Sequence, residues 1–255
     1  RTKNLSEPIR LINGETFELF HYQVNYGEFS KLIKQGDIIS ANDSLCKMKV
    51  VDICDARIKI LSYSDGLLFN NKGLHAQGIS DKLPFLFDSD IKLIGVACKH
   101  KIDYLSLSFV RDVSDIEAAT KVISSHHAPD LKIISKIETA AALKNIKAIL
   151  QEIDIINVDR GDLFSDIGMM KLPPAQNLII EEALSAKKEI FLATQILRNM
   201  ENHPIPLISE IVDLYKNIQK GISGVQLSEE TAVGKYATEC VKMIFDSYEN
   251  FKVST

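Results

Sequence analysis

No tryptophan occurs among the 255 residues, and no apolar run approaches the roughly 18–20 residues a membrane-spanning helix needs. A secretory leader pattern is missing as well, so the chain reads as neither exported nor membrane-embedded. Cysteine is scarce: Cys46, Cys54, Cys98 and Cys240 are scattered and form no C-x-x-C pair. That spacing argues against a zinc ribbon or a disulfide framework and suits reduced thiols in a cytoplasmic protein, most of them packing residues. Positive charge is not in excess. Thirty basic residues face 34 acidic ones, for a net charge of -4, which leaves no nucleic-acid footprint. Neither a G-x-G-x-x-G fingerprint nor a Walker loop is present, which removes the commonest nucleotide sites of open α/β sheets.

What is there falls into two textures. Residues 1–20 carry strand signals around Pro8-Ile9-Arg10 and Thr16-Phe17-Glu18-Leu19-Phe20. From Phe29 to Gly78, short partly alternating runs such as Leu32-Ile33, Cys46 to Val51 and Arg57 to Leu61 are punctuated by Gly36, Asn42-Asp43, Asp65-Gly66 and Lys72-Gly73. Short strands separated by turns predict a small all-β unit. After Gly78 the text alternates helix with strand. Strands are expected at Tyr104–Phe109, Leu131–Ser135, Ile153–Val158, Ile190–Thr194 and Gly224–Leu227. Between them stand helical patterns, one opened by the capping-box text Ser114-Asp115-Ile116-Glu117 and one by Thr139. Five βα units in a row predict a parallel sheet with helices outside.

Both an open doubly wound sheet and part of a TIM barrel satisfy that pattern. The barrel is favoured because polar groups close every strand: Ser108 with Arg111, Lys136 with Glu138, Arg160 with Asp162, Thr194 with Gln195, and Ser228 with Glu230. A single strand often ends in polar residues simply because it meets solvent; five consecutive ones are harder to explain so.

The densest of these texts runs from Leu131 to Leu163. Glu138 and Asp162, on neighbouring strands, could share a hard cation of the Mg²⁺ type. Lys136 lies two residues before Glu138 and so points to the same side of an extended backbone, where it could neutralise charge on a phosphoryl group or an enolate. A Lys–Glu surface pair flanking a strand explains the spacing equally well. The adjacent His126-His127 precede Ala128-Pro129 in a loop and read as solvated rather than metal-binding. At Asn42-Asp43, turn chemistry accounts for the residues more readily than a nucleotide contact at Asp43 does.

Taken in order, Leu107-Ser108-Phe109-Val110-Arg111, Ile134-Ser135-Lys136-Ile137-Glu138, Arg160-Gly161-Asp162-Leu163, Ala193-Thr194-Gln195 and Leu227-Ser228-Glu229-Glu230-Thr231 resemble the barrel domain of the pyruvate kinase family. The likeness is continuous from about Ile102 to Met243, and Gly36 to Gly73 resembles the small β lid domain inserted in that barrel. The resemblance implies a TIM (β/α)8-type barrel, part of it in this chain, with an inserted small all-β domain. Residues 1–10 would be the end of an early barrel strand, 11–78 the lid and 79–255 the barrel.

It also implies phosphoryl transfer between phosphoenolpyruvate and ADP, giving pyruvate and ATP, with Mg²⁺ (or Mn²⁺) and K⁺. By position, Glu138 and Asp162 would be the metal carboxylates and Lys136 the lysine facing the phosphoryl group. Thr194 with Gly161, Asp162, Arg160 and Ser108 would bind substrate. Ser228 and Glu230 would help protonate the enolate, and Asp43 would reach the nucleotide. Family members associate, which leaves a homo-oligomer open.

Several departures stand beside the likeness. Asp159 occupies a position where the family has alanine, so three carboxylates crowd together and repel. Glu229 replaces a glycine. The family's first two barrel strands, one carrying an Arg-x-Asn-x-Ser group, and its regulatory domain have no counterpart, and the start at Arg1 reads as truncation. Two other functions therefore compete: a metal-dependent pyruvate-enolate lyase or aldolase of a related barrel family, and a non-catalytic ligand-binding relative.

Overall fold

A computed structural model describes residues 1–41, 46–54, 57–76, 79 and 82–251; Asp43 lies outside the described residues. The chain divides into two compact units, Arg1–Pro84 and Phe85–Thr255. Among the described residues no helix is long and apolar enough to cross a membrane.

The first unit contains β1 (Ile9–Leu11), β2 (Thr16–Phe20), one helical turn α1 (Phe29–Leu32), β3 (Ile38–Ala41), β4 (Cys46–Cys54), β5 (Arg57–Ser62), β6 (Gly66–Leu68) and β7 (Leu74–Ala76). Five of these strands form an antiparallel sheet in the order β2-β5-β4-β3-β7. Period-two patterning makes it one-sided. Ile58 and Ile60 of β5 are buried while Arg57 and Lys59 are exposed, and Met48 and Val50 of β4 join Leu19 and Ile39 beneath them.

Two expectations change here. Residues 1–10 were assigned to the end of an early barrel strand, but β1 pairs antiparallel with β6 inside this unit, because Leu11 and Leu68 drop into its core. Leu32-Ile33, a strand candidate, closes a helical turn instead, where Phe29 supplies the buried anchor.

The second unit runs α2 (Asp88–Lys99), β8 (Tyr104–Leu107), α3 (Val113–Ser125), β9 (Lys132–Ile137), α4 (Ala140–Lys144), α5 (Ile146–Glu152), β10 (Ile155–Asp159), α6 (Arg160–Ile167), α7 (Leu172–Ser185), β11 (Glu189–Ala193), α8 (Ile208–Lys220), β12 (Gly224–Gln226), α9 (Glu229–Ala232) and α10 (Ala237–Phe251). Its five strands are parallel, and their spatial order is their sequence order from β8 to β12. A doubly wound sheet reverses direction at a switch point, whereas a barrel does not. The monotonic order therefore selects the barrel type of α/β fold. Every residue of β10 is buried, as expected for a parallel strand covered on both faces. Ile137, Ile156, Val158, Ile179, Ile190 and Leu192 form the centre of the core.

Local chemistry sets the helix ends. Thr139 caps α4 through the Ala142 N–H at 2.9 Å, as its position suggested. The start of α3 is capped by Asp112, not Ser114: Asp112 Oδ1 accepts both the N–H and the hydroxyl of Ser114. One helix expected after Thr139 is two, broken at Asn145, whose amide donates to Arg111 O at 3.0 Å. At its other end α8 stops on Gly221 in the left-handed region, φ 94°.

Across the sheet, Lys136, Asn157, Phe191 and Gly224 are aligned partners in one row, and Asp159, Ala193 and Gln226 in the row two residues further toward the strands' carboxyl ends. A Cβ on Gly224 would stand 2.5 Å from the Phe191 ring, so glycine is required for the ring to lie where it does. Gly224→Ala is expected to destabilise this unit by about 1–3 kcal/mol through overpacking, read as a lower urea midpoint at unchanged m-value.

Candidate functional site

The site forms where β8, β9, β10 and β11 end. Lys136, near the end of β9, is mostly buried, and its ammonium stands 2.8 Å from Glu138 Oε2 and 2.8 Å from Asp159 Oδ2. Burial alone would lower the lysine pKa. The charges of Glu138 and Asp159 outweigh that, so Lys136 is held above its ordinary value as a fixed cation.

Glu138, 1% exposed, follows β9. Its Oε1 accepts the Phe109 N–H at 2.6 Å, and Phe109 has a left-handed backbone, φ 57°. Its Oε2 is buried, with the Lys136 ammonium 2.8 Å away as its ion-pair partner. Burial pushes the Glu138 carboxyl upward despite Lys136, with Asp162 and Asp159 adding to the rise. Such a carboxylate gains most from a further positive charge.

Asp159 ends β10, and Asp162 lies in the first turn of α6. One carboxylate oxygen each from Glu138, Asp159 and Asp162 fall within 4.8 Å of one another. Three carboxylate oxygens at that spacing, with Glu138 almost fully buried, fit a hard divalent cation. The repulsion expected of Asp159 is offset by Lys136, which stands against both Asp159 and Glu138.

Asp159 also opens α6, its Oδ1 accepting the Asp162 N–H at 3.4 Å. This helix was not foreseen, because its first residues had been assigned to a strand end. Gly161 N–H donates to Thr194 Oγ1 at 2.9 Å, and that hydroxyl donates to Ala193 O at 2.7 Å. Thr194 and Gln195 both have positive φ, 66° and 53°. For a β-branched residue that conformation is costly and persists only where neighbours impose it. The clamp is Arg160, which donates to Thr194 O through Nε and Nη2, to Gln195 O through Nη2, and to Asp213 Oδ2 through Nη1 at 2.6 Å. Arg160, expected to bind substrate, is thus engaged in shaping the Thr194 turn.

The remaining candidates sit as follows. Ser108 is exposed just beyond β8, one residue before the Glu138 contact at Phe109. Ser228 is half-buried, and its N–H donates to Glu230 Oε2 at 2.8 Å. Glu230 is fully buried, and its Oε1 accepts the Leu197 N–H at 3.4 Å. Its carboxylate therefore braces the β12 loop against the segment after β11. Arg111, named beside Ser108, is tied by three donors to buried Asp115. Phe109 N–H and Asp213 escaped sequence reasoning, since neither a backbone donor nor a helix carboxylate 53 residues from Arg160 leaves a local signal.

A family model described as pyruvate kinase, barrel domain, matches residues 14–241. Among curated proteins, the pyruvate kinase of Borreliella burgdorferi is 33% identical over 252 residues, covering 96% of this chain and 53% of that protein. That of Thermococcus litoralis is 33% identical over 221 residues (87% and 46%), and that of Methanocaldococcus jannaschii 32% over 244 (96% and 53%). The chain spans about half the length of the curated relatives it matches.

Proposed function

The chain belongs to the pyruvate kinase family, and on that premise we propose that the protein carrying it transfers a phosphoryl group between phosphoenolpyruvate and ADP, giving pyruvate and ATP. The observation that carries the reading is the Lys136 ammonium, 2.8 Å from each of two carboxylates beside a third. Phosphoryl transfer asks a protein mainly for positioning and charge neutralisation, and this cluster offers both.

Glu138 and Asp162 would hold Mg²⁺ or Mn²⁺, which would supply positive charge to the oxygens of the transferring group. Lys136 keeps its proton throughout and presents a point charge to the same oxygens. The N–H groups of Gly161 and Asp162, at the start of α6, would take the substrate carboxylate by exchanging their present acceptors, Thr194 Oγ1 and Asp159 Oδ1. Thr194, released from Gly161, would turn its hydroxyl to the same carboxylate. Ser228 would face the pocket from a loop that Glu230 holds rigid. The first unit would be the family's inserted β domain, and a cytoplasmic setting accords with the free cysteines of the described residues.

The test is to incubate the full-length protein with phosphoenolpyruvate, ADP, Mg²⁺ and K⁺ and to follow pyruvate and ATP together. Equimolar appearance of both is expected. Pyruvate-enolate proton exchange or carbon–carbon cleavage of an oxo-acid without ATP would replace this reading with the lyase. Cation-dependent binding of phosphoenolpyruvate with no turnover would replace it with a non-catalytic binder.

A further inference from the structure

We propose that Asp159 is a third carboxylate ligand of the divalent cation, making this a three-carboxylate site instead of the two-carboxylate one formed by Glu138 and Asp162. The inference rests on the cation reading of the previous subsection. Asp159 is 8% exposed and faces the cluster: one of its oxygens lies within 4.8 Å of one oxygen each from Glu138 and Asp162. Its partners there are Lys136 at 2.8 Å through Oδ2 and the long 3.4 Å cap contact through Oδ1. Neither saturates a carboxylate, which offers about four acceptor sites.

Charge counting points the same way. Three carboxylates and one ammonium leave the cluster at -2, so one divalent cation neutralises it; without Asp159 the same cation would leave it at +1. Mg²⁺ commonly takes one or two protein carboxylates and keeps several waters, whereas a third protein ligand removes a water and tightens the hold. Cation uptake then also draws Asp159 away from Lys136, loosening one of the two ion pairs that fix the ammonium and freeing it to meet a phosphoryl oxygen.

The test uses Mn²⁺ as the probe on the full-length protein without substrate, comparing wild type, Asp159→Asn, Asp159→Ser and Asp162→Asn. Asparagine and serine both cap helices as well as aspartate does, so α6 is retained while the charge is lost, and circular dichroism checks the fold. Calorimetry is expected to show Mn²⁺ bound at least about tenfold more weakly by both Asp159 variants. Water-proton relaxation is expected to show one additional water on the Mn²⁺ that Asp159→Ser still binds, its short side chain offering no carbonyl oxygen in place of the carboxylate. Unchanged or tighter binding in the Asp159 variants, with Asp162→Asn weakened, would overturn the third ligand and leave the cation site standing. Weaker binding at unchanged hydration in Asp159→Ser, which has no carbonyl oxygen to ligate in place of the carboxylate, would make Asp159 a remote charge and overturn ligation as well. If wild type and Asp162→Asn bind Mn²⁺ alike, or neither binds it, the cation reading itself falls.

Discussion

Lys136→Met is expected to lower ATP formation by roughly a thousandfold or more, the scale on which removing one preorganised charge or donor from a transition-state site acts. Methionine keeps the length and the buried stem of lysine and deletes only the ammonium. Loss of activity must be separated from loss of fold, because the ammonium also offsets Glu138 and Asp159. Removing one partner of a buried ionic cluster costs about 3–5 kcal/mol. The cation-free variant is therefore expected to melt earlier than wild type and to recover when Mn²⁺ is added. Binding of Mn²⁺ should be retained or tightened, since a repelling positive charge has gone. A variant that binds Mn²⁺, folds and still makes ATP at the wild-type rate would remove Lys136 from the chemistry.

Glu138→Gln is expected to do the reverse: cation binding falls by about a hundredfold or more while the cation-free fold is hardly affected. The glutamine carbonyl can still accept the Phe109 N–H, and Lys136 keeps Asp159. Burial already penalises the ionised Glu138 carboxyl, so neutralising it relieves about as much as it removes. Cation-free stability within about 1 kcal/mol of wild type, measured by urea unfolding, is the expected result. A large destabilisation together with intact Mn²⁺ binding would mean that Glu138 serves the fold and that the cation lies elsewhere. Lys136→Met and Glu138→Gln thus test the proposed catalytic and ligating halves of one salt bridge separately.

How much of this was legible beforehand follows from the range of the interactions. Lys136 and Glu138 share a side because they are two apart on a strand, and Asp162 joins them because parallel neighbours end together; both are local or nearly local rules. The five strands and most helix ends were readable for the same reason. The contacts of Arg160 were not. Its acceptors lie 34 and 35 residues away, and nothing in Arg160-Gly161-Asp162 distinguishes an arginine that meets substrate from one that fastens a turn. The burial of Glu230 was hidden in a similar way, because only the folded chain brings its carboxylate to the Leu197 and Ser228 N–H groups. Helix α6 was hidden because Asp159 is both the last residue of β10 and the cap of the helix, so no punctuation separates the two.

The monotonic strand order of the second unit bears on how it is made. Each strand from β9 onward pairs with the one synthesised immediately before it. Among the described strands β8 to β12, neighbours in the sheet are neighbours in sequence, so loop-closure entropy for these pairings is met in modest instalments. Lys136 near the end of β9 and Glu138 just after it precede Asp159 of β10 in the chain, so the ammonium that meets Asp159 belongs to the strand laid down before it.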